Sequence, residues 1–141
     1  MTSGSIALVV LTLVSYWALI SLMERVRLRR VRLAFAKTRQ PLSDDQFLIR
    51  AGATDNETAF FFAARAAIAE ACGVHSSMLH PEDPIQALLI LQYDGGDYLD
   101  IVFRIERKYG HKLRRCDFPT NPSLSDVMKC LYAARPTPDR P

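Results

Sequence analysis

A chain of 141 residues with a formal net charge of +3 has room for one domain and an anchor, not for two domains. The charge is divided along the chain. Residues 1 to 23 carry none, residues 24 to 39 carry seven Lys/Arg against one Glu, and residues 40 to 141 carry eleven Lys/Arg against fourteen Asp/Glu. The pI of 8.9 therefore describes one short basic run, which excludes reading the mildly acidic remainder as a nucleic-acid binder.

From Ser5 to Met23 the sequence reads SIALVVLTLVSYWALISLM, 19 residues dominated by Leu, Ile, Val and Ala. That is close to the roughly 20 residues a helix needs to cross a hydrocarbon core of about 30 Å. Its Ser and Thr hydroxyls can bond back to the helix's own carbonyls. A cleaved signal sequence would carry positive charge before the apolar run and a small-x-small site after it. Here the MTSG start is uncharged and the positive charge follows the run, so residues 1–23 read as a retained transmembrane anchor. The positive-inside rule puts the C-terminal flank in the cytoplasm, giving a single-pass protein of the cytoplasmic (inner) membrane with its N-terminus outside. Residues 24–39 form a basic juxtamembrane helix. Arg25, Arg27, Arg29, Arg30 and Arg32 are its candidate contacts for anionic lipid headgroups.

Gln40-Pro41 ends the collar, because proline cannot continue a helix. Residues 40–54 read as a linker with at most one short helical turn around Phe47, Leu48 and Ile49. Thr54 and Glu57 have capping-box spacing, and the alanine-rich TAFFFAARAAIAEACG stretch predicts a first domain helix over about 56–72, closed at Gly73. A long loop with two prolines follows, and Ile85 to Leu91 is an apolar run suited to a single turn. Asp94-Gly95-Gly96-Asp97 breaks the chain, and Asp97 can cap a second helix, with Leu99, Val102, Phe103, Ile105 and Tyr109 apolar. A last helix carries Leu124, Val127, Met128 and Leu131, and residues 135–141 read as a disordered tail. The predicted fold class is all-α: a transmembrane helix followed by a small helical bundle over residues 55–134.

Cys72, Cys116 and Cys130 include no C-x-x-C pair and read as small buried hydrophobes, which argues against a disulfide framework or a zinc site. His75 and His80 have no converging ligands, so no metal is expected. No nucleophile elbow, Gly-rich phosphate loop or catalytic-triad order is present, and the chain is not expected to be an enzyme.

Four features in this order carry a family resemblance. They are Gly73-Val74 closing the first domain helix, Pro81-Glu82-Asp83 in the loop, Glu106 to Gly110 closing the second helix, and Ser123-Leu124-Ser125-Asp126-Val127 opening the last. In these the domain resembles an acyl carrier protein. The resemblance implies a carrier-like bundle whose second helix begins at a phosphopantetheine-bearing serine. That serine is absent. Its place is taken by Gly95 when Asp94-Gly95-Gly96-Asp97 is aligned on the motif, or by Tyr98 in the alternative register. No Ser or Thr lies between Ser77 and Thr120 to replace it. The sequence is more similar to carrier-like proteins with an Asp-Gly-x-Asp motif, which implies no cofactor. The expected function is a membrane-tethered, non-enzymatic interaction module. The alternative is a functional or lipid-handling carrier using a non-standard attachment residue. Asp94, Asp97, Asp100 and Arg104 mark the candidate surface for an unknown protein partner.

Overall fold

No proline or glycine occurs between Ser5 and Lys37, and the computed structural model, which describes residues 3–92, 98–114 and 116–136, shows why that matters. Helix α1 runs without interruption over Ser3–Lys37, about 52 Å at the usual rise. Among the described residues none of its apolar half is buried, and it is long and apolar enough to cross a membrane. Within it the Thr12 hydroxyl donates to the carbonyls of Leu8 and Val9. The basic half is not a free collar. Leu28 is buried, and Val31 and Phe35 pack against the domain core, an i, i+3, i+7 stripe.

The segment expected to be a linker is a helix. Ser43 and Gln46 form a reciprocal capping box that starts α2 at Asp44–Ala51, and Gly52 ends it in the left-handed conformation at φ 62°. Phe47 and Ala51 enter the core, so the domain begins well before residue 55. Burial of Phe47 outweighs the turn-rich composition around it. Helix α3, Thr58–Cys72, is entered through a 3₁₀ turn at Asp55–Glu57, where the Glu57 carboxylate accepts from the Thr54 amide. It is the central element. Phe60, Phe61, Ala64, Ala67, Ile68 and Cys72 are all fully buried, and the small alanines let neighbouring helices approach closely.

Helix α4 is the expected short turn, Ile85–Leu89. Helix α5, Tyr98–Tyr109, packs along α3, and α6, Leu124–Ala133, closes the bundle behind a Ser123–Asp126 capping box. Phe60 gathers Tyr109 and Tyr132 edge-on at ring centroid distances of 5.0 and 5.5 Å. Among the described residues no strand forms; Pro84 and Ser123 make only an isolated antiparallel bridge. Arg135, expected in a disordered tail, is held in place: its guanidinium donates to the Tyr109 hydroxyl and stacks on Tyr132. Residues 137–141 lie outside the described residues.

Two ion pairs, each with one buried partner, hold these parts together. Asp83 is 6% exposed and accepts two bonds from Arg39, at 2.6 and 2.7 Å, and one from the His80 amide. Its own carbonyl accepts from the Leu124 amide. Asp83 thus ties the end of the α1 segment to the start of α6. Arg65, 1% exposed on α3, donates to Asp44 and to the carbonyls of Leu42 and Leu79, with its guanidinium over the Phe47 ring.

Candidate functional site

Helix α5 is strongly amphipathic, but its apolar residues do not all face inward. Ile101 and Ile105 are fully buried against α3. Leu99 and Phe103, two of the apolar residues of this helix, are 59% and 61% exposed and stand four residues apart on the outer face. The helix turns Tyr98, Ile101, Val102 and Ile105 inward, and this leaves the 99/103 pair outside. Beside the pair lies a mainly apolar cleft of about 450 Å³ between α5 and the 113–118 segment, reaching Tyr98, Phe118 and Leu131.

Tyr98, one of two positions matched to the missing serine, sits at the first turn of α5. Its ring meets Phe118 edge-on at 4.8 Å, and its hydroxyl is buried with no hydrogen-bond partner among the described residues. Burial pushes the phenol well above its usual value, so it stays protonated. A buried neutral phenol offers no accessible oxygen for attachment of a prosthetic group. Gly95, together with Asp94 and Asp97, lies outside the described residues.

The other two members of the expected partner surface are committed within the molecule. Arg104 holds Asp100 at 2.7 Å on its own helix and Glu70 of α3 at 3.2 Å, and Lys108 reaches Glu70 at 2.9 Å. The Asp100 carboxylate raises the Arg104 pKa, while Lys108, with Arg104 behind it, lowers that of Glu70. Arg104, held by Asp100, therefore bridges α5 to α3, and Leu99 and Phe103 stand exposed on α5 alongside the exposed Arg107 and Lys108. The alternation of acids and bases along α5, which reads in sequence as mixed surface charge, is one half of a cross-helix network.

Glu106 closes the end of α5. It accepts from the Leu113 amide at 2.8 Å and from Lys112 at 3.1 Å, and these bonds hold its carboxyl below the usual range. Asp126 is likewise lowered by Ser123 in the α6 cap. A lowered folded-state pKa gives stability that is present above the unfolded value, about 4, and is lost as pH falls through the folded value. Thermal melts should therefore show Glu106→Gln less stable than the parent chain at about pH 6, with the gap narrowing toward about pH 3. A gap independent of pH would refute the assignment.

The cysteines are free. Cys72 is buried and its thiol is pushed up to about 12, as expected for a packing residue. Cys116 is also pushed up to about 12, by burial and then by the neighbouring Cys130 thiol, which itself points at the Asp117 carbonyl at 3.5 Å. These two are 14 residues apart in sequence but adjacent in space. His75 bonds Ser77, and His80 meets the Gln40 carbonyl at 2.9 Å; no group of three potential metal ligands forms among the described residues.

The arginine collar divides. Arg25, Arg27, Arg29 and Arg30 are exposed, and Arg27 pairs with Glu24 at 3.4 Å. Arg32, expected at headgroups, instead donates to the Leu91 carbonyl at 3.1 Å, because its stripe of α1 faces the domain. Its guanidinium lies where a Cβ on Gly73 would sit, next to the C-terminus of α3. Sequence reading also passed over Arg65 and gave Asp83 weight only as part of a motif. An arginine amid alanines and phenylalanines was the available signal for the first. No protein-family model, curated protein or solved structure matches this chain.

Proposed function

We propose that this chain is a membrane-tethered, non-enzymatic interaction module of acyl-carrier-like architecture. In this reading α1 crosses the membrane with its N-terminus outside, the domain lies in the cytoplasm and the exposed arginines meet anionic headgroups. The observation that carries the reading is the outward Leu99–Phe103 pair on α5 beside its apolar cleft. An i, i+4 apolar pair bordering a groove is the form of an anchor for a partner's helix or loop. The absent serine and the buried Tyr98 hydroxyl support a module that binds without a prosthetic arm. The same cleft, being apolar, also suits the alternative of lipid handling by a carrier with an unusual attachment residue.

Co-expression with a broad-specificity phosphopantetheinyl transferase, followed by intact-mass measurement, separates the two. The expected result is an unchanged mass. A gain of one phosphopantetheine would reject the non-acylated reading and favour the alternative.

A further inference from the structure

Where the apolar run of α1 meets the domain, there is a second cleft that the α5 surface does not involve. It runs along α1 from Arg25 to Ala36, faces Gly73, Val74, His75 and Met78, and has a volume of about 600 Å³. Three guanidiniums line it, those of Arg25, Arg29 and Arg32, and no carboxylate does. Their i, i+4, i+7 spacing puts them on one stripe of the helix, with Leu28 among them. Arg32 is held by Leu91. Arg25 and Arg29 are exposed and form no hydrogen bond or ion pair among the described residues. They stand two and six residues past Met23, about 3 and 9 Å along the axis. The headgroup layer is roughly 5–8 Å thick on each side of the hydrocarbon core, so with the span ending at Met23 the Arg25 residue falls within it and Arg29 at its outer edge, its side chain leaning back toward the helix N-terminus.

We infer that this cleft binds the headgroup of an anionic phospholipid of the adjoining leaflet, its phosphate held between Arg25 and Arg29, its headgroup reaching into the cleft beside Leu28 and its acyl chains running back along α1 toward Met23. Planar guanidiniums donate paired bonds to phosphate oxygens. A lipid is also held by its acyl chains in the bilayer beside α1, which a free anion lacks. A zwitterionic lipid would bring its ammonium group among three like charges. The inference rests on α1 spanning a membrane and is independent of the carrier-like reading.

The test uses the full chain in mild detergent, incubated with equal phosphatidylglycerol and phosphatidylcholine and examined by native mass spectrometry. One phosphatidylglycerol should be retained in about tenfold preference, the worth of one charge-assisted contact. Arg25→Gln with Arg29→Gln should reduce that retention about tenfold, while Arg27→Gln with Arg30→Gln, an equal loss of charge outside the cleft, should leave it within about twofold. Leu33→Glu, which places a carboxylate on the exposed rim, should also reduce it. All these positions are exposed, and unchanged circular-dichroism melts would verify the fold. Equal losses from both arginine pairs, no preference between lipids, or displacement by excess inorganic phosphate would each overturn the cleft. Extraction of the chain from vesicles by alkaline carbonate would overturn the spanning helix and the cleft with it. A chain that stays inserted but retains no phosphatidylglycerol overturns the cleft alone.

Discussion

Asp83→Ala is expected to lower the unfolding free energy by about 3–5 kcal/mol, the range for removing one member of a buried ion pair. Three bonds to the carboxylate disappear, two from Arg39 and one from the His80 amide. The Arg39 guanidinium, stacked on Phe35, then retains only the Met78 carbonyl. Asp83→Asn keeps one acceptor and should cost less, about 2 kcal/mol. Urea denaturation followed by circular dichroism would give these values. Arg39→Ala should cost a similar amount, and the double variant much less than the sum, because both substitutions remove the same contact. Additive losses would show that Asp83 works through His80 and not through Arg39.

Arg65→Ala should cost about 3–4 kcal/mol, combining a core cavity with two carbonyls left without donors. Burial pushes the Arg65 pKa down and Asp44 holds it up, and the side chain stays charged either way. Arg65→Met fills most of the volume without serving the Leu42 and Leu79 carbonyls, so about 2 kcal/mol is expected. Asp44→Ala should be milder still, since Asp44 is 64% exposed and Arg65 keeps both carbonyls. The informative result is the order of the three. If Asp44→Ala were the most damaging, the arginine would be an ion-pair residue first and a carbonyl donor second.

The helices of the domain were legible wherever punctuation and periodicity agreed. Thr54 to Glu57, Gly73 and Ser123 announced their boundaries because capping needs particular side chains at particular places. Helix α2 was missed because its Ser43–Gln46 box sits among residues that also suit turns, and only Phe47 finding the core decides between them. The seam between α1 and the domain was hidden for a different reason. Val31 and Phe35 are interleaved with arginines, a pattern that serves a headgroup layer and a docked helix equally. At the candidate site, the apolar positions of α5 were visible, but not which of them faced out. Periodicity identifies a face, and with Leu99, Ile101, Val102, Phe103 and Ile105 all apolar, two faces qualify. The pairing of Asp100 and Arg104 with Glu70 depends on the register between two helices, which sequence spacing does not contain.

The apolar run and the docked stretch belong to one helix with no proline or glycine between Ser5 and Lys37. If α1 spans a bilayer as proposed, the domain is mounted like a vane on a mast. Beyond Met23 the mast extends about 20 Å, so a change of about 20° in tilt would carry its upper end sideways by roughly 7 Å. A turn of the helix within the bilayer would swing the Leu99–Phe103 pair to a new bearing by the same angle. In that setting bilayer thickness and any neighbour gripping the helix would become mechanical inputs to the direction in which the domain faces.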